Sequence, residues 1–394
     1  MATMRVIRCA IFLIAILLVN GCVERFYPGA DDVYTGTLVI NAQITSVPGN
    51  QTIQISRSDG LLYPEFIPES NCVVEVENEE GDLVSFTEAT PGYYSADVPA
   101  SFISFGSRYM IRVLTSEGSL YLSDYSQLNP PTAINKIYYE PESYPTIDPE
   151  VSIDGIRFYI DFKIDPDSSE FMRWELLETY EFHNPPYEGF IYSYDRVLRP
   201  LPDSLSDRQC WITGNVNELF TLDAANLSQT DYTYMPLHFV SNETQRLSYG
   251  YSLLVRQHAM DAASFRYWNE LKKNSHTGGG LYDRLPSITP SNIVNIDDPE
   301  ESVLGFFGVS GVTEMRVFVK DVEGLNKYDV MFCFPRPEMP RFRYLLFQDL
   351  PIYGSIAEEH DTGLERFGET VLKCLDCRVR NGSSGEPPVF WPID

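Results

Sequence analysis

Leu247-Ser-Tyr-Gly-Tyr-Ser-Leu-Leu-Val255, followed by Ala262 to Lys273, is the stretch whose reading decides the fold. Leu247, Tyr249, Tyr251, Leu253 and Val255 alternate with other residues, which predicts one face of a strand. Asp261 stands where a helix N-cap belongs, and Phe265, Trp268 and Leu271 form an apolar stripe behind it. Lys272 and Lys273 close the last turn, where cations suit the helix dipole. The Gly278-Gly-Gly280 run then stops the helix. This helix, about residues 262–273, is the one mature helix that the pattern predicts. Everything around it reads as strands.

Working outward, the first half shows period-two runs at Leu38–Ile44, Ile53–Ile55, Cys72–Val76 and Tyr109–Val113. Pro48-Gly-Asn50, Ser58-Asp-Gly60, Glu80-Gly-Asp82, Pro91-Gly92 and Glu117-Gly118 punctuate them as turns. That pattern predicts an antiparallel sandwich of immunoglobulin or transthyretin type over residues 34–130. Ile134 to Glu150, with Pro141, Pro145 and Pro149, reads as a linker or an edge segment. A larger β-rich domain is expected over 134–394. It includes a clean half-buried strand at Phe158–Ile164 and its continuation at Met172–Leu176. Further strand-like runs lie at Val303–Val309, Met315–Val319 and Tyr328–Phe334. Residues 183–213, rich in Tyr, Pro and Asp with weak periodicity, read as a long loop region. The expected class is all-β with one helix. At 394 residues, two domains fit the length.

The N-terminus carries an address. Arg5 and Arg8 precede a short apolar run, Ala10 to Val19, too short to cross a bilayer as a helix. Leu18-Val-Asn-Gly-Cys22 resembles a bacterial lipobox, with Asn20 a less usual choice. The resemblance implies a signal peptide over 1–21, cleavage before Cys22 and acylation of Cys22 with palmitate or a similar chain. Residues 22–33 would be a tether. Several acyl chains on one Cys hold a protein at a membrane essentially permanently. The expected location is the outer membrane, lipid-anchored, with the face left open.

Composition excludes one class of partner. Lys and Arg number 29 against 56 Asp and Glu, a formal net charge of −27. Such a surface repels phosphate backbones, so no nucleic-acid partner is expected. Beyond Cys9 and Cys22, five Cys remain: 72, 210, 333, 374 and 377. In an exported protein Cys374 and Cys377 are disulfide candidates, with each other or with Cys210 or Cys333. An odd number leaves at least one thiol unpaired within the chain. No metal site, cofactor or catalytic residue is expected. The five His show no paired spacing, and Gly308-Val-Ser-Gly311 lacks the spacing of a nucleophile elbow. His258, between strand and helix, is expected to bond backbone. Tyr192 with Tyr194, Tyr232 with Tyr234 and Tyr249 with Tyr251 sit two apart, so each pair is expected to share a strand face. Tyr192 and Tyr194, in the loop-like region, are the candidate recognition aromatics.

Several segments together are similar to one family. They are Tyr251-Ser-Leu-Leu-Val-Arg-Gln257, Tyr267-Trp-Asn-Glu-Leu-Lys-Lys-Asn274, Gly279-Gly-Leu-Tyr282 and Pro286-Ser287. Asn292-Ile293, Asp298-Pro-Glu300, Val303-Leu-Gly-Phe-Phe307, Cys374-Leu-Asp-Cys-Arg378 and Phe390-Trp391 continue the likeness. The chain resembles the Bacteroidota outer-membrane lipoproteins known as domain of unknown function 4249. One departure is Asn381-Gly-Ser-Ser-Gly385, where the family usually has a Gly pair. The resemblance implies an acylated β-rich protein, often encoded beside a TonB-dependent receptor, with no established enzyme activity. The expected function is a non-enzymatic accessory or binding component of TonB-dependent nutrient uptake. The alternatives are a surface hydrolase or glycan-active enzyme using carboxylates, and a structural or adhesive envelope protein.

Overall fold

The structure is a computed structural model. It describes residues 36–60, 65–148, 151–165, 167–184, 189–192, 198–200, 207–225, 227, 229–275, 289–326, 352–356, 366–370, 374 and 376–392. Its strands in the first third are β1 (Leu38–Thr45), β2 (Gly49–Arg57), β3 (Ile67–Pro68), β4 (Val73–Asn78), β5 (Leu83–Thr90), β6 (Tyr93–Val98), β7 (Arg108–Leu114), β8 (Leu120–Ser123) and β9 (Ser126–Gln127). Then come β10 (Ile134–Pro145), β11 (Ser152–Lys163), β12 (Phe171–His183), β13 (Gly189–Tyr192), β14 (Leu198–Pro200), β15 (Gln209–Asn215), β16 (Phe220–Asp223), β17 (Asp231–Ser241) and β18 (Gly250–Met260). The helix α1 (Ala262–Ser275) follows, and after it β19 (Ile293–Asn295), β20 (Leu304–Lys320), β21 (Ile352–Ile356), β22 (Arg366–Thr370) and β23 (Ser383–Ser384). The protein is all-β in class, as expected.

The alternation read in β1, β2, β4 and β7 holds. Leu38, Ile40, Ile53, Ile55, Val76, Ile111 and Val113 are fully enclosed in one core. β5 turns the corner of this sandwich. Its first half pairs with β4 and its second half with β6, with a register shift between Glu88 and Thr90. The core does not close within residues 34–130, however. Ile293, Val303, Phe307 and Val309 complete it, because β19 pairs with β8 and β20 lies parallel to β1. A break at 130 follows chain order but not packing.

β20 is the spine. Its early residues Phe307 and Val309 sit in the first core, and its later residues Met315, Val317 and Val319 pack on a second. The second core lies between the β20–β18–β12 ladder and a three-stranded sheet in the order β10–β11–β17. Phe158, Phe162, Trp174 and Tyr251 are its largest enclosed side chains. The segment 134–150 is therefore largely a strand: β10 occupies the sheet edge, where Pro141 costs no ladder bond outward. The expected loop at 183–213 is also partly strand. β15 pairs with β12 from Cys210↔Phe182 to Asn215↔Leu177, a tertiary pairing that local periodicity cannot show. The run Tyr328–Phe334 lies outside the described residues.

Strand β18 begins at Gly250, and Gln245–Leu247 forms a short 3-10 turn before it. Leu247 and Tyr249 therefore do not continue the strand face of Tyr251, Leu253 and Val255. Helix α1 starts where the cap residue predicts. Asp261 Oδ1 accepts from Ser264 N at 2.7 Å, and Asp261 Oδ2 accepts from Ser126 Oγ at 2.7 Å and Gln127 N at 3.1 Å. One carboxylate thus caps the helix and ties it to β9. Replacing Asp261 with Ala should lower unfolding free energy by about 1–2 kcal/mol in urea titration. An unchanged midpoint would show that the cap is dispensable.

Cys210 and Cys377 form a disulfide across 167 residues of chain. Cys377 thus takes the distant partner rather than its neighbour in the Cys-x-x-Cys motif. Cys374 is also disulfide-bonded. Cys72 is a free, buried thiol. Cys333 lies outside the described residues, as does Cys22.

Candidate functional site

The outer face of the β6–β2–β1–β20 sheet carries polar residues by simple alternation. Gln54 pairs with Tyr93 on one side and Asn41 on the other, and Asn41 pairs with Phe306. Four adjacent strands therefore present one transverse row: Tyr93, Gln54, Asn41, Phe306. Helix α1 lies along this face and ends the row, with Tyr267 stacked on Phe306 at 4.6 Å and 22°. Gly308 permits that approach, since a Cβ there would stand 2.9 Å from Ser264 Oγ.

Between sheet and helix opens a cleft of about 440 Å³, within the range of small-molecule sites. Asn41, Gln43, Thr52, Gln54, Ser264 and Ser310 supply its polar lining, and Tyr93, Tyr267, Trp268 and Phe306 its rings. None of the described residues lining it is Asp, Glu, Lys, Arg, His or Cys. The Asn41 and Gln54 side-chain amides have no hydrogen-bond partner among the described residues. Ser264 is 3% exposed, and its Oγ has no partner either.

Beneath the cleft the polar groups are, by contrast, tightly bound. Gln43 Oε1 accepts from Arg173 Nη2 at 3.0 Å, and Gln43 Nε2 lies 3.0 Å from His258 Nδ1 and 3.2 Å from Ser310 Oγ. Ser310 Oγ is 2.9 Å from His258 Nδ1. His258 Nε2 faces Glu175 Oε2 at 3.4 Å without the alignment of a full hydrogen bond. The network fits the Nε2–H tautomer, which leaves Nδ1 as acceptor. Burial, with Arg173 nearby, pushes His258 down to about 4, so the ring is neutral. His258, then Arg173 and Arg256, hold Glu175 down to about 2. Burial lowers Arg173 to about 10, which leaves it charged, and its guanidinium lies 4.2 Å from the Trp268 ring centre.

Ser310, His258 and Glu175 have the residue types of a nucleophile triad. Their setting argues against that role. Ser310 is 2% exposed, and its oxygen is shared between His258 and Gln43. The arrangement instead fixes the cleft floor. His258 bonds side chains rather than backbone, which corrects the reading from sequence.

The Tyr pairs divide. Tyr232 is in the second core, stacked on Phe162 at 4.9 Å, whereas Tyr234 is 50% exposed and stacks on Tyr159 at 4.0 Å. Tyr234 has φ 58, and that left-handed residue breaks the two-residue alternation. Tyr251 is enclosed, while Tyr249 stacks on His183 at 3.6 Å outside the strand. Neither pair shares a face. Tyr192 falls in β13 with its side chain outside the described residues, and Tyr194 is wholly outside them. The cleft residues themselves were visible in sequence only as the polar half of alternating strands.

Among the described residues no helix is long and apolar enough to cross a membrane, and no group of three His, Cys, Asp or Glu is placed to hold a metal ion. None of the curated proteins matches this chain. Among solved structures, trypsin-activated alpha-2-macroglobulin from Escherichia coli aligns at 10% identity and a TM-score of 0.18, covering 60% of this chain and 15% of that one. The native conformation of E. coli alpha-2-macroglobulin aligns at 11% identity and a TM-score of 0.17, covering 59% and 13%. The chain spans a small fraction of those proteins, and a likeness so shallow carries no argument. The sequence profile described as Domain of unknown function (DUF4249) matches residues 23–316, well over half of the chain, and the protein belongs to that family.

Proposed function

We propose that the protein is a non-enzymatic, lipid-anchored binding component of the outer membrane, serving a TonB-dependent uptake system. The observation that carries this reading is the cleft. It is ligand-sized, uncharged and ringed by aromatics, with two unengaged amides at its centre. Its described lining offers no carboxylate, imidazole, amine or thiol for acid–base or covalent work, which supports binding over catalysis. The carboxylate-dependent hydrolase would need two facing acids, and no described residue lining this cleft is one. The anchor rests on the Leu18–Cys22 lipobox, and the uptake partner on the likeness to Bacteroidota lipoproteins.

Two measurements test it together. Labelled palmitate should enter the parent chain and not a Cys22→Ala variant, which should leave the membrane pellet for the soluble fraction. Affinity capture of the acylated protein from native outer membranes should recover a TonB-dependent receptor. Equal labelling of parent and variant removes the anchor, and repeated capture without any such receptor removes the uptake role.

A further inference from the structure

We infer that the cleft takes a neutral saccharide, its ring faces laid against Tyr93 and Tyr267 and its hydroxyls bonded by Asn41, Gln54 and Ser264. This deepens the binding reading above and rests on it.

Charge sets the class first. Charged residues are 22% of the chain, yet none of the described residues lining the cleft is charged. A charged ligand would leave water there without a counter-charge, a large cost. A neutral polar molecule meets no such penalty.

Geometry narrows the class. Neighbouring strands lie about 4.8 Å apart, so the row Tyr93, Gln54, Asn41, Phe306 alternates ring, amide, amide, ring across the sheet. Tyr93 is 37% exposed at one end, and Tyr267 covers Phe306 at the other. A ligand with apolar faces and a polar rim fits that order, and a sugar ring has both. Each amide offers donors and an acceptor, and a sugar hydroxyl is both donor and acceptor. The buried Ser264 Oγ lacks a partner among the described residues, and a ligand hydroxyl would supply one.

The main rival is an extended peptide. Peptides commonly bind by adding a strand to a free sheet edge. This cleft lies on a sheet face, over β2, β1 and β20, each already paired on both sides. No backbone edge is offered there.

The test uses the purified full-length protein in calorimetric titration. The probes are cellotetraose, maltotetraose, xylotetraose and mannotetraose, with neutral tetrapeptides of Ala and Asn beside them. At least one tetrasaccharide should bind with a dissociation constant of millimolar or below. Tyr93→Ala and Gln54→Ala should each weaken it by about tenfold or more. Gly214→Ala, on the remote β15 with no described atom within 4 Å of its Cβ position, should leave affinity unchanged. Thermal midpoints should match the parent for both cleft variants, whose residues sit on the outer face of the sheet. Tetrapeptide binding weakened by Tyr93→Ala, with no tetrasaccharide binding, keeps the binding reading and overturns the saccharide. Binding of neither probe set overturns both. Saccharide binding untouched by either cleft variant overturns the site.

Discussion

Gly311→Ala is expected to lower unfolding free energy by at least about 3 kcal/mol, the upper end for overpacking a rigid site. A Cβ at 311 would stand 2.2 Å from Asn129 O, 2.7 Å from Pro131 N and 2.9 Å from Pro130 C. All three are backbone atoms, so no side chain can swing aside. The segment 129–131 is itself pinned. Thr132 O accepts from Gln257 Nε2 at 2.8 Å, and Gln257 Oε1 accepts from Trp174 Nε1 at 2.8 Å. Moving the segment therefore breaks buried hydrogen bonds as well as packing. On its other side Gly311 is held by β18 through the Ala259 register. The clash falls between the part of β20 that serves the first core and the part that serves the second. Urea unfolding should show a lower midpoint at an unchanged slope. Gly214→Ala, with no described atom within 4 Å of its Cβ position, should stay within about 0.5 kcal/mol of the parent. Equal midpoints for Gly311→Ala and Gly214→Ala would show that the segment moves aside freely.

That crossing illustrates what sequence can and cannot carry. Alternation and caps are local, so β1, β2, β4, β7, β11 and the start of α1 at Asp261 were legible. The end of α1 was nearly so, at Ser275 against an expected 273. Pairing across hundreds of residues is not local. Nothing in Asn41-Ala-Gln or Gly305-Phe-Phe says that β1 and β20 lie side by side. The cleft exists only because they do. Asn41 and Gln54 read from sequence as solvated positions, and only the parallel neighbour and the helix above turn them into a site. Where a single residue departs from the regular backbone, as Tyr234 does, a face assignment by counting also fails. Residues 247–249 failed for the converse reason: their alternation is real, but a 3-10 turn takes them out of the strand.

The floor of the cleft should make stability fall with acid in a defined window. His258 is enclosed, and its folded-state pKa is depressed from 6.5 to about 4, chiefly by burial and then by Arg173. Below 6.5 the unfolded chain binds a proton at this ring that the folded chain refuses. The contribution is therefore fully present above pH 6.5 and is lost as pH falls towards 4. At 1.36 kcal/mol per unit the loss is about 3 kcal/mol. The charged groups that face the ring are Glu175, Arg173 and, through Glu175, Arg256. Glu175 is depressed as well, to about 2, first by His258, and its share is lost at lower pH still, between its unfolded value and about 2. The two groups touch, so they titrate as a coupled pair across both windows. Urea unfolding between pH 7 and 4 should show the parent losing stability steeply. His258→Gln, which keeps a neutral polar side chain beside Gln43 and Ser310, should flatten that slope by about one proton. Its stability at pH 7 will differ from the parent for packing reasons, so the slope is the readout. Parallel slopes for parent and variant would mean that the ring charges in place, paired to Glu175, and that the floor of the cleft is an ion pair rather than a neutral hydrogen-bonded plate.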